Sequence, residues 1–424
     1  MIAIIKRNLY IVVLGIFGVV QSQEILTKQE ALNITLENNY DILISRNSVE
    51  QADNSQDILN SGYLPTIVGS ARSNYIYSSV REGTQSNASI GLNYVLFDGL
   101  NRKNTYKRLK ESYNISEIQA QQIVENTLIT LFTAYYELAR LEENERTQSR
   151  ALAISKERLK RAEYSFEYGQ QTRLDVLNAE VDVNSDSINY LDIKRQLANA
   201  KRDLNVVLGK EVNTEVNVDT TVQYRTDLML ANLEEFAISR NVELRQAEAN
   251  INLGELDVKI SRSGWMPTVS LSGAYAWSYS NINNAFNPVL GGMNAGVSIN
   301  WNIFDGGRSS TNVQNAKIGI ETAEIQKQQV EEQLKRDLNN AYETYTNLLF
   351  TYEVQKKNVE TNLRNFERTS EGYKLGQINS IDFRLAQVNL LNAVLARSQA
   401  KYNAKLAELQ VLRVSGILLD NRVY

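Results

Sequence analysis

The sequence predicts a mainly helical chain with membrane β-structure: long coiled-coil-like helices joined to four short strands. Three observations carry that reading. Only 3 prolines occur in 424 residues, where average usage of about 5% would place roughly 21. Helices can therefore run far, since a proline inside one costs about 3 kcal/mol. Four segments alternate apolar and small polar residues with a period of two, and the second half of the chain repeats the first.

Composition removes most chemistry. There is no cysteine and no histidine. Disulfides, thiolate nucleophiles, iron–sulfur clusters, imidazole zinc sites and Ser-His-Asp triads are excluded. Only carboxylates could catalyse or hold a metal, and no two acids outside the repeated turns form a recognisable constellation. The expectation is no enzyme, no cofactor and no metal. A formal charge of −4 gives no electrostatic support for nucleic-acid binding.

Residues 1–23 read as a secretory signal peptide. Lys6 and Arg7 are its basic region, 9–20 its apolar run, and Gln21-Ser22-Gln23 suits cleavage. The apolar run is well short of the ~18 residues a spanning helix needs. No later segment is apolar enough to span as a helix. A periplasmic chain, a secreted chain and an outer-membrane barrel remain.

The repeat is legible in paired motifs. Tyr63-Leu64-Pro65-Thr66 matches Trp265-Met266-Pro267-Thr268. Phe97-Asp98-Gly99 matches Phe304-Asp305-Gly306, Gly169 and Asp175 match Gly376 and Asp382, and Gly209 matches Gly416. The spacing changes from 202 to 207 residues between the proline and the F-D-G motif, which places an insertion in a loop. The organisation is repeat 1 over 24–209, a linker over 210–229, repeat 2 over 230–416, and a tail over 417–424.

Within each repeat a helical stretch (26–61, 231–263) runs to a proline that turns the chain extended. Two strands follow, within 66–98 and 268–305. A proline-free helix then runs over 101–167 or 308–374, about 65 residues at 1.5 Å each, or ~100 Å. Its apolar seam, Leu128, Leu131, Phe132, Tyr135 and Leu138 in the first copy, suits coiled-coil-like packing with one side wet. A glycine turn and a return helix close the unit.

The strands fit a barrel wall. In 268–281, Val269, Leu271, Gly273, Tyr275, Trp277 and Tyr279 alternate with Thr268, Ser270, Ser272, Ala274, Ala276 and Ser278. The segment 293–303 repeats this, and 88–96 does so in the first copy. Tyr75, Tyr77, Tyr94, Tyr275, Trp277, Tyr279 and Trp301 supply the aromatics of an interfacial girdle against outer-membrane lipid. Four strands cannot close a barrel, and open edges in lipid strand their amides. If these strands span, the chain must oligomerise, and patterning alone permits a dimer of eight strands or a trimer of twelve.

The glycine turns are the sharpest local motifs. Gly169 and Gly376 supply left-handed helix stops. Thr172 and Asn379 are expected N-caps, with Asp175 and Asp382 at the acidic position of a capping box. The same aspartates could instead form an acidic ring at a pore mouth, and the two roles are compatible.

Signal peptide, duplicated helix–hairpin–helix unit, proline before the strands, F-D-G after them, and a Y/F-x-x-G-x-x-x-x-x-D turn followed by Ala179-Glu180 or Ala386-Gln387: this ordered set resembles the TolC-like outer-membrane efflux proteins. The resemblance implies a homotrimer whose twelve-stranded β-barrel crosses the outer membrane of a Gram-negative bacterium. A helical α-barrel would reach through the periplasm. It also implies a passive exit duct for drugs, small molecules or proteins, docked on a periplasmic adaptor and an inner-membrane transporter of RND, ABC or MFS type. Asp175, Tyr373 and Asp382 match the family's periplasmic gate. Gly169, Gln170, Thr172, Arg173, Gly376, Gln377 and Asn379 match its adaptor-contacting tips. Ile378 stands where a gating arginine can occur, and Leu385 where a second ring aspartate can occur. The alternative is an exported coiled-coil structural or adhesive protein, which the helices alone favour and the strands oppose.

Overall fold

The computed structural model describes residues 25–80, 82–280 and 290–420. The expected signal peptide, Pro288 with most of the 282–291 loop, and 421–424 lie outside the described residues.

The chain begins with β1 (Ile25–Leu26), α1 (Lys28–Asn38) and α2 (Tyr40–Gln56). Strands β2 (Thr66–Tyr77) and β3 (Glu82–Phe97) follow. Then come α3 (Asn101–Glu167), α4 (Arg173–Val207) and β4 (Asn217–Val218). The second copy runs α5 (Leu230–Arg240), α6 (Val242–Arg262), β5 (Thr268–Ser280), β6 (Leu290–Asn300), α7 (Arg308–Lys374) and α8 (Ser380–Val414). Helices α3 and α7 each contain 67 residues, or about 100 Å.

Two readings need correction. The helical stretches over 26–61 and 231–263 are each broken into two helices, at Asn39 and Asn241. Asn39 has an extended backbone (ψ 131°), and its side chain accepts from the Asp41 and Ile42 amides. Asn241 does the same for Glu243 and Leu244. An asparagine that caps the next helix ends the previous one. The last strand stops at Asn300 rather than reaching 303. Trp301 lies beyond the ladder, where its indole Nε1 donates to the Trp265 carbonyl at 3.1 Å.

The F-D-G aspartates start the long helices. Asp98 Oδ2 accepts from the Arg102 amide at 3.0 Å. Asp305 Oδ2 accepts from the Ser309 amide at 2.9 Å and its hydroxyl at 2.6 Å. Each satisfies an otherwise orphaned helix N-terminus.

The main sheet has the antiparallel order β2-β3-β5-β6. Its first hairpin connection occupies 78–81 and its second 281–289, so the length difference between the repeats falls there. Far from this sheet, β1 and β4 pair in parallel over the middle of α3. There Leu128, Leu131, Phe132, Tyr135 and Leu138 pack with Leu204, Leu409, Val411 and Leu412 into the principal core. Tyr135 Oη donates to the Leu26 carbonyl at 2.7 Å, and Tyr342 Oη repeats this on Leu228 at 3.3 Å. The core therefore sits at mid-length. The sheet and the helix tips project from its two ends with narrower packing.

Candidate functional site

The tips are two matched helix stops. Gly169 has φ +69° and Gly376 φ +75°. The Gln170 amide donates to the Ser165 carbonyl at 2.7 Å and the Gln377 amide to the Gly372 carbonyl at 2.8 Å. These six-to-one bonds mark the Schellman motif, which a left-handed glycine permits. Gly169, Gln170, Thr172, Arg173, Gly376, Gln377 and Asn379 are all exposed.

The two caps that follow differ. Thr172 Oγ1 donates to Asp175 Oδ2 at 2.7 Å and accepts from its amide at 3.4 Å, while the Thr172 amide also donates to that carboxylate at 3.0 Å. These bonds from the Thr172 side chain and backbone hold the Asp175 carboxyl below the usual range. Asn379 Oδ1 accepts from the Asp382 amide at 2.8 Å, but the expected capping box does not form there. Asp382 is left exposed, its carboxylate outside a cap.

Tyr373 is buried within the protomer at 8% exposure. It stacks on Phe383 with ring centroids 4.7 Å apart, and the Arg161 guanidinium lies 5.1 Å over its face. Ile378 folds back on Gly372, where a Cβ would meet Ile378 Cδ1 at 2.7 Å. Arg173 lies over Phe166 of its own tip.

At the other end, register puts the aromatics on one face of the sheet. Ala88 pairs with Trp277, Ile90 with Tyr275, Ser86 with Tyr279, and Tyr94 with Leu271. Tyr75, Tyr77, Tyr275, Trp277 and Tyr279 cluster toward the hairpin ends; Tyr94 and Trp301 lie toward the helices. Between them run Ile67, Leu92, Leu271 and Val297, on the same face. Eight residues separate Tyr279 from the Tyr94 row, about 26 Å along the strand, or roughly 20 Å of height at the tilt of barrel strands, the order of the ~25 Å apolar band of an outer-membrane barrel. The opposite face carries Ser70, Arg72, Asn87, Asn93, Ser272 and Ser278.

The sequence pattern described as "Outer membrane efflux protein" matches residues 31–210 and 234–416, which are the two repeats. The chain belongs to the outer membrane efflux protein family. The efflux protein BepC of Brucella suis is 23% identical over 416 residues, covering 94% of this chain and 89% of that protein. TolC of Escherichia coli is 22% identical over 352 residues, covering 78% and 70%. Among solved structures, the Campylobacter jejuni CmeC outer membrane channel superposes with a TM-score of 0.78 at 19% identity, over 92% of this chain and 85% of that one. The Neisseria gonorrhoeae MtrE channel does so at 0.74 and 18%, over 92% and 89%. As a member of this family of channels, the chain is an outer-membrane exit duct for efflux.

The efflux-protein sequence also holds charged residues that the motif reading passed over. Arg158, Asp182, Asp186 and Arg384 meet where the two helix hairpins touch. Asp186 continues the buried seam of Val176 and Ala179 on α4 at coiled-coil spacing. An acidic residue in an apolar seam was the available signal.

Proposed function

We propose that three copies assemble into a single duct, with twelve strands closing a barrel in the outer membrane and the long helices forming an α-barrel below it. The observation that carries this reading is the four-stranded sheet with an apolar, aromatic-banded face and two unpaired edges, β2 and β6. In lipid those edges need partners, and β6 of one copy meeting β2 of the next supplies them. The solved relatives, described as outer membrane channels, share the fold. A second support is the stripe of Leu174, Leu177, Val181, Ile188 and Leu191 along α4, exposed in the single protomer. Its heptad spacing suits a helix of the neighbouring copy.

The tips carry the proposed contact with a periplasmic adaptor, through Gly169, Gln170, Thr172, Arg173, Gly376, Gln377 and Asn379, and adaptor docking opens the duct toward an inner-membrane transporter. Asp175 and Asp382 supply fixed negative charge near the tip mouth. Tyr373, packed between Arg161 and Phe383, steadies the second tip.

Planar-bilayer recording of the purified full-length protein tests this. A multi-subunit channel blocked from the tip side by multivalent cations, with block weakened in Asp382→Ala, is the expected result. Recovery of the chain only as a soluble periplasmic monomer would return the coiled-coil structural reading.

A further inference from the structure

Near the tips, the polar links between the α3–α4 hairpin and the α7–α8 hairpin run through Arg384, Gln387 and Arg161. Arg384 of α8 donates through Nη1 to Asp186 Oδ2 at 2.7 Å and through Nη2 to Asp186 Oδ1 at 2.9 Å. Its Nε lies 3.4 Å from Asp182. Arg158 of α3 also bonds Asp182. Ser155 Oγ donates to Asp186 at 2.5 Å, and Gln387 Nε2 donates to the Ala151 carbonyl at 3.1 Å. The side chains of Arg158 and Asp186 are each 2% exposed. Two guanidinium groups thus face two carboxylates, and the cluster is neutral. In the reverse direction, Arg161 of α3 donates to the Lys374 carbonyl at 2.9 Å. That carbonyl belongs to the last turn of α7, the favourable end of the helix dipole for a cation.

The tip residues do not make this crossing. Asp175 is engaged by Thr172 in its own hairpin, and Ile378 packs on Gly372. Each hairpin instead reaches the other with an arginine. An apolar seam can slide in small steps. A two-point guanidinium–carboxylate contact has one geometry and is either made or lost.

We propose that Arg384 on Asp186, with Arg161 on the end of α7, is a clasp that fixes the separation of the two tips in each protomer, and so the width of the duct's tip end. Arg384 and Asp186 are positioning residues for opening. The proposal rests on the duct reading.

The test uses the full-length chain and two variants that leave no unpaired buried charge. Asp186→Leu with Arg384→Met replaces the pair by apolar side chains, and Asp182→Arg and Asp186→Arg with Arg158→Asp and Arg384→Asp exchange the charges of the whole cluster, so that no carboxylate is set beside Asp182. The chain lacks cysteine, so spin labels attach only at introduced Gln170→Cys and Gln377→Cys, one on each tip. The apolar pair should lengthen or broaden the tip-to-tip distance and raise single-channel conductance at least twofold. The exchanged cluster should restore both to the values of the unaltered chain. Unchanged distance and conductance in the apolar pair would overturn the clasp, as would an exchanged cluster as perturbed as the apolar pair. Failure of both variants to assemble would assign the cluster to folding and overturn it equally. If the unaltered chain conducts no ions, the duct reading fails, while the label distances still report on the clasp.

Discussion

Asn39 and Val207 lie 168 residues apart and share a hydrogen bond of 2.8 Å from Asn39 Nδ2 to the Val207 carbonyl. Asn241 and Val414 repeat it, 173 residues apart, at 3.0 Å. In each copy one side chain caps the helix that starts beside it and takes a carbonyl from the last turn of the return helix. Gly209 and Gly416 follow those carbonyls at φ +66° and +72°. A Cβ on Gly209 would lie 2.3 Å from the Asn38 carbonyl oxygen, so close backbone approach requires glycine there. The break within each first helical stretch is the point where the repeat is tied shut.

Asn39→Ala should therefore remove a cap and leave a carbonyl unpaired in a site only 6% exposed. The expected loss is about 1–3 kcal/mol. A lowered urea midpoint of the detergent-solubilised protein, followed by circular dichroism, checks this. Asn33→Ala, at an exposed position on α1, should move the midpoint far less.

Leu100 carries φ +67°, the one non-glycine residue in left-handed backbone among the described residues. Its equivalent in the second copy is Gly307, at φ +88°. Leu100 is 51% exposed, so its side chain contributes little burial, whereas left-handed backbone costs a Cβ-bearing residue about 1–2 kcal/mol. Leu100→Gly should be neutral or stabilising by about 1 kcal/mol, read as an unchanged or raised Tm. A fall in Tm would show that the leucine is needed for packing.

Neighbouring residues on β3 should respond oppositely to the same charge. Leu92 belongs to the face with the aromatic bands and Asn93 to the other. Leu92→Arg places a cation on the face proposed to meet lipid and should cost about 2–4 kcal/mol, seen as loss of the protein from the outer-membrane fraction. Asn93→Arg should leave insertion intact. Equal loss in both variants would deny the assignment of faces.

Acid should loosen the first tip. The Asp175 carboxyl is held below its ordinary value of 3.8 by the Thr172 side chain and backbone. A depressed native value means the ionised cap stabilises the fold in full above the unfolded value and is lost as pH falls through the native one. Hydrogen exchange of the amides in the first turn of α4 should show protection down to about pH 4 and progressive loss below it. Thr172→Val should weaken that dependence, leaving the part due to the amide of residue 172.

Much of the secondary structure was legible because its signals are local. Pro65 and Pro267 mark the passage into the strands, the F-D-G aspartates begin the long helices, and Gly169 and Gly376 end them. The breaks at Asn39 and Asn241 were not legible. Asparagine is an ordinary surface residue of a helix until a carbonyl from a distant return helix stands beside it. The capping box at Asp382 was expected from spacing and is absent, because spacing does not register whether the carboxylate turns back onto the cap amide, as Asp175 does and Asp382 does not. Trp301 continues the alternation of β6 in sequence but not its ladder.

The sequence by itself determined the duplication, the period of the strands of the main sheet and the length of the long helices. Each depends on residues within a few positions of one another or on direct comparison of two stretches. Only the tertiary structure decided which charges meet. Arg384 and Asp186 are 198 residues apart, and no periodicity links them. Their pairing exists because α8 and α4 pack against the same stretch of α3, and a carboxylate buried there is neutralised by the guanidinium that the other hairpin brings.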